Sequence, residues 1–348
     1  MISPNSLSSE WISSKAKEFK GDPIIIEKVI RALILLELLR VENLEFIFKG
    51  GTALMLMIKE PRRFSIDIDI LIENKDQNLE AILDNIINKS DFIKWEPHER
   101  KAVSEIEKRH FKLFYEPLVK MKGSLNYILL DVVYETNPYA NIQQTKVSHF
   151  LLAEDNSPIK VVTPTLEAIL GDKLTAFGPN TTGVPLTKPM EVMKQVYDIA
   201  GIFDRVPTLN TVKQNFIKVA KRELIYRGFE NDNFKIIFDD IIKTSHNFCV
   251  YGKLDKETYT VMQSGVSRLN SFIYGDKFRE PQAQIAVAKA AYLSKKLDTD
   301  AINIERFDKA IDMKSWVISN HNFSALNKLK KHNLEAFYYW YNTIHLMP

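Results

Sequence analysis

Two kinds of hydrophobic pattern divide this chain into a mixed first half and a helical second half. Before residue 165, several short segments are continuously apolar or alternate between apolar and polar residues, which is typical of strands. Between them, and almost everywhere after residue 190, apolar residues recur three and four positions apart, which is typical of amphipathic helices. The pattern therefore predicts an α+β fold, with an N-terminal mixed sheet flanked by helices and an all-helical C-terminal domain.

The predicted strands are short and lie at 44–48, 64–72, 92–95, 110–115, 127–134 and 159–162. Helices are predicted among them at 4–20, 23–39 with Asp22 as its N-cap, 52–58, 76–88 and 165–177. The helical half is predicted to contain helices at 190–203, 209–226, 234–245, 259–274, 281–296, 304–318 and 324–344. We place the domain boundary between 1–165 and 166–348, and we expect the Gly-, Pro- and Thr-rich stretch 178–189 to be a flexible loop.

One stretch of the first half carries the residue types of a phosphate and metal site. It is apolar up to Gly50 and Gly51, which open a short helix where backbone N–H groups can meet phosphate. It continues as an alternating segment in which Ser65, Asp67 and Asp69 share one face, because strand side chains alternate. Two neighbouring carboxylates repel each other and favour a divalent cation between them. We therefore expect this stretch to hold a metal-bound triphosphate.

Composition narrows the class of protein further. The net charge of +3, from 47 basic and 44 acidic residues, is too small to indicate nucleic-acid binding, so any basic surface would be local. The single cysteine, Cys249, excludes an intramolecular disulfide and a cysteine-based zinc site, and the histidines lack zinc-ligand spacing. The longest apolar run, 29–39, contains Arg31 and Glu37 and is too short for a membrane span. With no signal-peptide pattern, we expect a cytoplasmic protein that does not associate with membranes.

The glycine pair, the short helix and the Arg-x-Ser-x-Asp-x-Asp segment together resemble the minimal nucleotidyltransferase fold. More narrowly, KGGTALML followed by RRFSIDIDIL is similar to the nucleotidyltransferase toxins of the AbiEii type. The resemblance extends from residue 46 to the neighbourhood of residue 205. Fifteen residues separate Gly51 from Asp67, slightly more than the superfamily pattern usually has. The excess falls in the turn at 59–62, where an insertion is easily absorbed.

The resemblance implies metal-dependent transfer of NMP from an NTP with release of pyrophosphate. Asp67, Asp69 and Asp131 would hold two Mg²⁺ ions, with Mn²⁺ as an alternative, and Asp131 is the lone acid of an otherwise apolar predicted strand. Lys173 matches the family's helical lysine and would neutralise triphosphate charge. Asp198 matches a Lys/Arg-x-x-x-Asp signature and would orient that lysine or the base. These five residues form the predicted catalytic set, and the helical domain would complete the active-site cleft.

The nucleotide-binding residues implied by the same resemblance are Gly50, Gly51, Thr52, Arg63, Ser65 and Lys173. Three roles stay open. Either Arg62 or Arg63 faces a phosphate, or both belong to a solvated turn. Asp198 has an alternative partner in Lys194, four residues before it. The basic run 328–332, with Lys314 before it, is either a nucleic-acid contact or, as such runs usually are, a solvated helix face.

The resemblance also implies a toxin of a bacterial toxin–antitoxin pair, of the abortive-infection type that acts in phage defence. Such a toxin would modify an RNA, for example the 3′ end of tRNA, and a cognate antitoxin would neutralise it. Composition does not identify the acceptor, so a small molecule and a protein hydroxyl remain alternatives, and the choice of NTP rests on pocket shape.

Two other classes of function remain open. The first is a non-catalytic nucleotide-binding interaction module, against which the presence of all three acids argues. The second is a phosphatase with the same Asp-x-Asp spacing. It ranks low because the glycine pair precedes the acids and Ile70 follows them.

Overall fold

The computed structural model describes residues 1–58, 63–99, 107–119, 125–153, 158–230, 232–301 and 303–347. It divides the chain into two compact units. Unit 1 comprises Met1–Asn137, Asn141–Thr165 and Ser271–Lys277, and unit 2 comprises Pro138–Ala140, Leu166–Asn270 and Phe278–Pro348.

Unit 1 is built on a seven-stranded mixed sheet. Its strands are β1 (Ile47–Lys49), β2 (Ile68–Ile72), β3 (Phe92–Pro97), β4 (Lys108–Tyr115), β5 (Asn126–Tyr134), β6 (Ile142–Lys146) and β7 (Lys160–Pro164). They lie in the order β3-β4-β5-β2-β1-β7-β6. β1 is antiparallel to β2 and parallel to β7, and β2 is parallel to β5. The remaining neighbours are antiparallel.

The helices of unit 1 cover one apolar face of this sheet. They are α1 (Ser9–Phe19), α2 (Pro23–Val41), α3 (Gly50–Met57) and α4 (Leu79–Lys89), with a short 3₁₀ helix at Pro4–Leu7. Asp22 caps α2 by accepting a hydrogen bond from the N–H of Ile24. The apolar side chains of α2 share a core with alternate residues of the strands, among them Ile70, Leu113 and Leu130. The residues between these therefore face the other side of the sheet.

Unit 2 is helical among its described residues, as the sequence predicts. Its helices are α5 (Leu166–Ala176), α6 (Pro189–Phe203), α7 (Asn210–Tyr226), α8 (Lys235–Cys249), α9 (Lys256–Leu269), α10 (Glu280–Asp298) and α11 (Leu334–His345), with a 3₁₀ helix at His321–Lys331. Helix α10 is the central one and packs against α6, α8 and α11. Throughout the described ranges, each helix is too short or too polar to cross a bilayer.

The predicted α+β class is confirmed, but the strand predicted at 64–72 is shorter and starts at Ile68. The residues before it pair with another part of unit 1. Arg63 forms an isolated bridge with Ile273, and the N–H of Phe64 donates to the carbonyl of Phe272 at 2.8 Å. These contacts hold residues 63–64 outside the main sheet, so the predicted strand loses its first half.

The helix predicted at 304–318 is wrong, because the described part of this segment is irregular. The Asp308 side chain accepts a hydrogen bond from the N–H of Ala310, and Asp312 accepts one from Lys314. Such turns compete with helical hydrogen bonds. The helix predicted at 259–274 ends at Leu269, the one predicted at 324–344 breaks before Leu334, and β6 was not predicted.

The segment expected to be a flexible loop at 178–189 begins with a tightly hydrogen-bonded turn. The carboxylate of Asp240, which is 7% exposed, accepts hydrogen bonds from the N–H and side-chain amide of Asn180 and from the hydroxyls of Thr181 and Thr244. Arg227 donates to the carbonyls of Thr182 and Gly183. One buried acid on α8 and one arginine after α7 thus hold the first half of the loop.

Candidate active site

Four polar residues lie in register across the middle of the sheet in unit 1, on the face opposite the helical core. Lys49 on β1 pairs with Asp69 on β2, and Asp69 pairs with Asp131 on β5. His110 on β4 continues the row beside Asp131. Directly opposed side chains have Cβ atoms about 5 Å apart, so each member of this row is within reach of the next. Two of the three predicted acids therefore stand side by side, with a basic residue at each end.

His110 holds the carboxylate of Asp131. Its Nδ1 atom lies 2.7 Å from Oδ1 of Asp131, and the two side chains are 15% and 20% exposed. A histidine that bonds a carboxylate in this way fixes its rotation. Sequence reasoning missed both His110 and Lys49 as members of the site. His110 belongs to no recognisable motif, and Lys49, although it directly precedes the glycine pair, is placed beside Asp69 only by the pairing of β1 with β2.

Asp67 lies immediately before β2. Its backbone carbonyl accepts a 2.6 Å hydrogen bond from Oγ1 of Thr52, the third residue of α3. Thr52 is completely buried. The structure therefore places this predicted nucleotide-binding residue where its hydroxyl ties the start of α3 to the acid-bearing segment.

The glycine pair lies directly against the acids and the neighbouring donors. Gly50 has a φ of +81°, a conformation that favours glycine, and a Cβ atom there would stand 2.1 Å from Oδ2 of Asp69. A Cβ on Gly51 would stand 2.7 Å from Oγ of Ser65 and 2.8 Å from Nη2 of Arg63. The predicted residues Gly50, Gly51, Ser65 and Arg63 are thus brought together beside Asp69.

The start of α3 has the features of an anion site. Its N-cap residue, Lys49, makes no side-chain capping hydrogen bond, and the first-turn N–H groups of a helix have no intrahelical acceptors. Arg63 is buried, with Nη1 donating to the carbonyl of Phe64 at 3.1 Å. Backbone N–H groups, a hydroxyl and a guanidinium in one place can bind phosphate oxygens. Arg62 and the turn at 59–62 lie outside the described residues.

The carboxylates of unit 1 fit part of a divalent-metal site. Carboxylate oxygens are the ligands preferred by hard cations such as Mg²⁺. Across the described ranges, no three or more histidine, cysteine or acidic side chains form a closed metal cluster. Mg²⁺ usually keeps several waters and takes only one or two protein carboxylates together with phosphate oxygens. The donor set of Asp67, Asp69 and Asp131 is therefore compatible with an ion that arrives with the nucleotide.

In unit 2, the structure brings together the two residues predicted from the helical half. Nζ of Lys173 lies 2.9 Å from Oδ2 of Asp198 and 2.9 Å from Oε1 of Gln195. The two paired side chains are 10% and 3% exposed. A buried ammonium with two fixed acceptors has a defined position. Lys194, the alternative partner considered for Asp198, lies 2.9 Å from Glu191.

At least one residue of the basic run 328–332 has a structural role in unit 2. Nζ of Lys330 donates to the carbonyls of Lys314 and Trp316. Nε2 of His332 lies 3.0 Å from the hydroxyl of Tyr251. The contacts of Lys330 hold the irregular segment before the 3₁₀ helix, and that of His332 reaches the end of α8, which is a structural reason for basic residues there.

Comparison with known proteins identifies a family. The family model described as nucleotidyl transferase AbiEii toxin, type IV toxin–antitoxin system, matches residues 34–310. Among solved structures, MenT4, a nucleotidyltransferase toxin from Mycobacterium tuberculosis H37Rv, is similar with a TM-score of 0.52 and 11% identity, over 94% of this chain and 98% of that chain. JHP933 from Helicobacter pylori gives a TM-score of 0.43 and 13% identity, over 79% of this chain and 91% of that chain. No curated protein matches significantly.

Proposed function

The chain belongs to the AbiEii family of nucleotidyltransferase toxins of type IV toxin–antitoxin systems, and from this premise we propose that it transfers NMP from an NTP to an RNA, with release of pyrophosphate. The family implies a cognate antitoxin. The observation that carries the proposal is the row of Lys49, Asp69, Asp131 and His110 beside the glycine turn. In this row, carboxylates that could bind a metal ion and orient a hydroxyl lie next to donors that could bind phosphate oxygens.

Each part of this arrangement has a chemical role in the proposal. Asp67, Asp69 and Asp131 would hold divalent cations, which would supply positive charge to balance the negative charge of the phosphate oxygens. The N–H groups at the start of α3, with Ser65 and Arg63, bind the phosphates that leave as pyrophosphate. Asp131, fixed by its imidazole partner, orients the attacking hydroxyl and takes up its proton.

We assign the neutralisation of triphosphate charge to Lys173 in unit 2. The support is its match to the family's helical lysine, together with the contacts to Asp198 and Gln195 that fix its ammonium group. Asp198 is then a positioning residue, because it acts through the lysine. The acceptor is proposed to be RNA, and specifically the 3′ end of tRNA, on the family resemblance.

The proposal is tested by incubating the full-length protein with total RNA, Mg²⁺ and each α-labelled NTP in turn. The wild-type protein should label RNA with one or more nucleotides. Asp69→Asn keeps the size of the side chain but removes its charge, so labelling should fall by about 1,000-fold or more, since a metal-binding group is lost. Asp91→Asn, a change at an exposed acid of unit 1, should label RNA like the wild type.

Circular dichroism and thermal unfolding should show that both variants fold. Full activity in Asp69→Asn would contradict the assignment of the acids. Label on a protein or on a small molecule, with none on RNA, would contradict the proposed acceptor while leaving the nucleotidyl transfer in place.

A further inference from the structure

The position of the glycine turn determines the side from which an acceptor must approach. Gly50 and Gly51 lie on the β1 side of Asp69, so phosphates bound there leave toward β1. In phosphoryl and nucleotidyl transfer the entering and leaving oxygens stand on opposite sides of the phosphorus. The attacking hydroxyl must therefore come from the other side of Asp69, where β5 and then β4 follow in the sheet.

The sheet face on that side continues beyond the acids with aromatic and basic side chains. On β5, Tyr127 is four residues before Asp131 and so shares its face. Phe114 on β4 pairs directly with Tyr127, and Lys112 lies on the same face two residues earlier. On β3, Lys94 pairs with Phe114. The face that carries the acids thus extends over three strands.

These side chains contact one another closely. The ring centroids of Phe114 and Tyr127 are 5.7 Å apart. Nζ of Lys112 lies 4.9 Å, and Nζ of Lys28 from α2 lies 5.4 Å, from the centroid of Tyr127. Nζ of Lys94 lies 4.9 Å from the centroid of Phe114. Tyr127 is 38% exposed. We call Lys28, Lys94, Lys112, Phe114 and Tyr127 the β4–β5 strip.

Lys28 and Lys112 are the two lysines of the strip whose ammonium groups lie over the same ring, that of Tyr127. Two ammonium groups over one ring repel each other and favour an anion nearby. Burial lowers the pKa of Lys28, and the negative charge of the Asp67 carboxylate opposes that shift. Lys94 forms an ion pair with Glu96 at 2.6 Å, and Glu96 in turn lies opposite Lys112 in the pairing of β3 with β4. The charge of Lys94 is partly balanced already.

We propose that the β4–β5 strip binds the acceptor as single-stranded nucleic acid, with Lys28 and Lys112 contacting backbone phosphates and the rings of Tyr127 and Phe114 stacking with unpaired bases. Lysines interleaved with exposed aromatic rings are the usual composition of such surfaces. This inference rests on the proposed function, because it names the path by which the RNA reaches Asp131. It adds a binding surface on the sheet that no catalytic motif includes.

The test measures RNA binding and nucleotide transfer for four variants of the full-length protein. Lys28→Ala and Lys112→Ala should each reduce the slope of log affinity against log salt by about 1, since each removes one phosphate contact. Tyr127→Ala should weaken binding roughly tenfold, whereas Tyr127→Phe, which keeps the ring, should bind like the wild type. The probes are a labelled RNA oligonucleotide and, separately, total tRNA.

Lys146→Ala provides the matched control, because Lys146 is an exposed lysine on β6 at the far edge of the same sheet. It should leave the affinity and the salt slope unchanged. In transfer assays, the three alanine variants of the strip should raise KM for RNA about tenfold and leave the affinity for the NTP unchanged, since a lost contact to the acceptor alone has this signature. Thermal unfolding confirms that each variant is folded.

The outcomes separate this inference from the proposed function. Wild-type transfer to RNA with unchanged KM and salt slope in Lys28→Ala and Lys112→Ala would overturn the strip and leave the function standing. If the wild type transferred the nucleotide only to a protein or a small molecule, both the strip and the RNA acceptor of the proposed function would be overturned, and nucleotidyl transfer itself would stand. A rise in KM for RNA in the strip variants but not in Lys146→Ala would establish the strip.

Discussion

His110 shows how a single side chain determines the geometry of the proposed site. In the proposed mechanism, Asp131 would hold a metal ion and orient a hydroxyl, and both roles depend on the rotation of its carboxylate. The 2.7 Å contact between Nδ1 of His110 and Oδ1 of Asp131 fixes that rotation. His110 is therefore a positioning residue, because it acts on the reaction through Asp131.

Replacing His110 tests this role. His110→Leu removes the contact, and we expect nucleotide transfer to fall 10- to 100-fold, roughly the cost of losing a group that orients a metal ligand. The Mg²⁺ concentration for half-maximal activity should rise as well, since the carboxylate is no longer pre-oriented. His110→Asn keeps an N–H donor near the position of Nδ1 and should retain more activity. Titration of transfer activity with Mg²⁺ provides the measurement.

A purely structural role for His110 would give another result. Both variants would then lose stability in thermal unfolding and show the same Mg²⁺ requirement as the wild type. Equal activity of His110→Leu and His110→Asn would likewise contradict the positioning role.

At this scale the sequence predicts residues that lie in a motif and misses residues that depend on strand pairing. Asp67 and Asp69 follow from alternation along one segment, and Asp131 stands out as the lone acid of an apolar run. His110 and Lys49 join them only because β4 and β1 pair in one register with β5 and β2. A shift of one residue in either register would turn the side chain to the other face.

At the scale of elements, the turn between β1 and α3 couples the glycine pair to the acids. Gly50 has positive φ, and its missing Cβ leaves space for the carboxylate of Asp69. The turn therefore needs glycine for two reasons, one in the backbone and one in the packing. A substitution of Gly50 would therefore strain the backbone and crowd the carboxylate of Asp69 at the same time.

Gly50→Ala should lower nucleotide transfer about 100-fold, since a methyl group 2.1 Å from Oδ2 of Asp69 displaces the carboxylate, and misplacement of a reacting group by about 1 Å has that effect. Gly275→Ala is the matched control in unit 1. It has a φ of +78° but nothing within 4 Å of an added Cβ. Both variants should lose about 1 kcal/mol of unfolding free energy from backbone strain.

Denaturant unfolding and transfer assays on the two glycine variants separate strain from steric displacement. If both variants kept wild-type activity, the close approach of Gly50 to Asp69 would have no functional meaning. If both lost activity equally, backbone strain in unit 1 would explain the effect instead.

The helices and loops also show where residue patterns along the sequence fail to predict the structure. Periodicity located helices such as α6, α7 and α10, where apolar residues recur at helical spacing. It failed at 304–318, where Asp308 and Asp312 form local turns despite helical spacing. At 178–183 it predicted flexibility from glycine, proline and threonine content, since the bonds to Asp240 come from a residue about sixty positions away. In both segments, hydrogen bonds between aspartate side chains and backbone N–H groups determine the observed conformation.

At the scale of the whole molecule, each unit buries a neutral histidine. His149 in unit 1 is 8% exposed and His246 in unit 2 is 6% exposed, and the Nε2 atom of each has no hydrogen-bond partner among the described residues. Burial lowers the pKa of His149 to about 3 and that of His246 to about 4. An unfolded histidine has a pKa of about 6.5. Below that pH the unfolded chain binds protons that the folded chain does not.

Stability should therefore be full above pH 6.5 and decrease as the pH falls toward 4. Each histidine contributes a loss of about 1.4 kcal/mol per pH unit in this window. For unit 2 we expect His246→Leu, which does not titrate, to lose about 2 kcal/mol less unfolding free energy than the wild type between pH 7 and pH 5. Urea unfolding at the two pH values provides the measurement.

The same pH dependence in wild type and His246→Leu would show that the buried imidazole is protonated in the folded state.

The segment Ser271–Lys277 has a consequence for the order in which this protein is made. It belongs to unit 1, where Ile273 bridges Arg63 and Tyr274 stacks on Phe64 with ring centroids 4.6 Å apart. Yet it follows helices α5 to α9 in the chain, and domains tend to fold as they emerge from the ribosome. Residues 63 and 64, which precede the proposed catalytic acids, are therefore clamped only after the chain has been synthesised as far as this segment. A nascent toxin interrupted before residue 271 carries its acids without the clamp beside them.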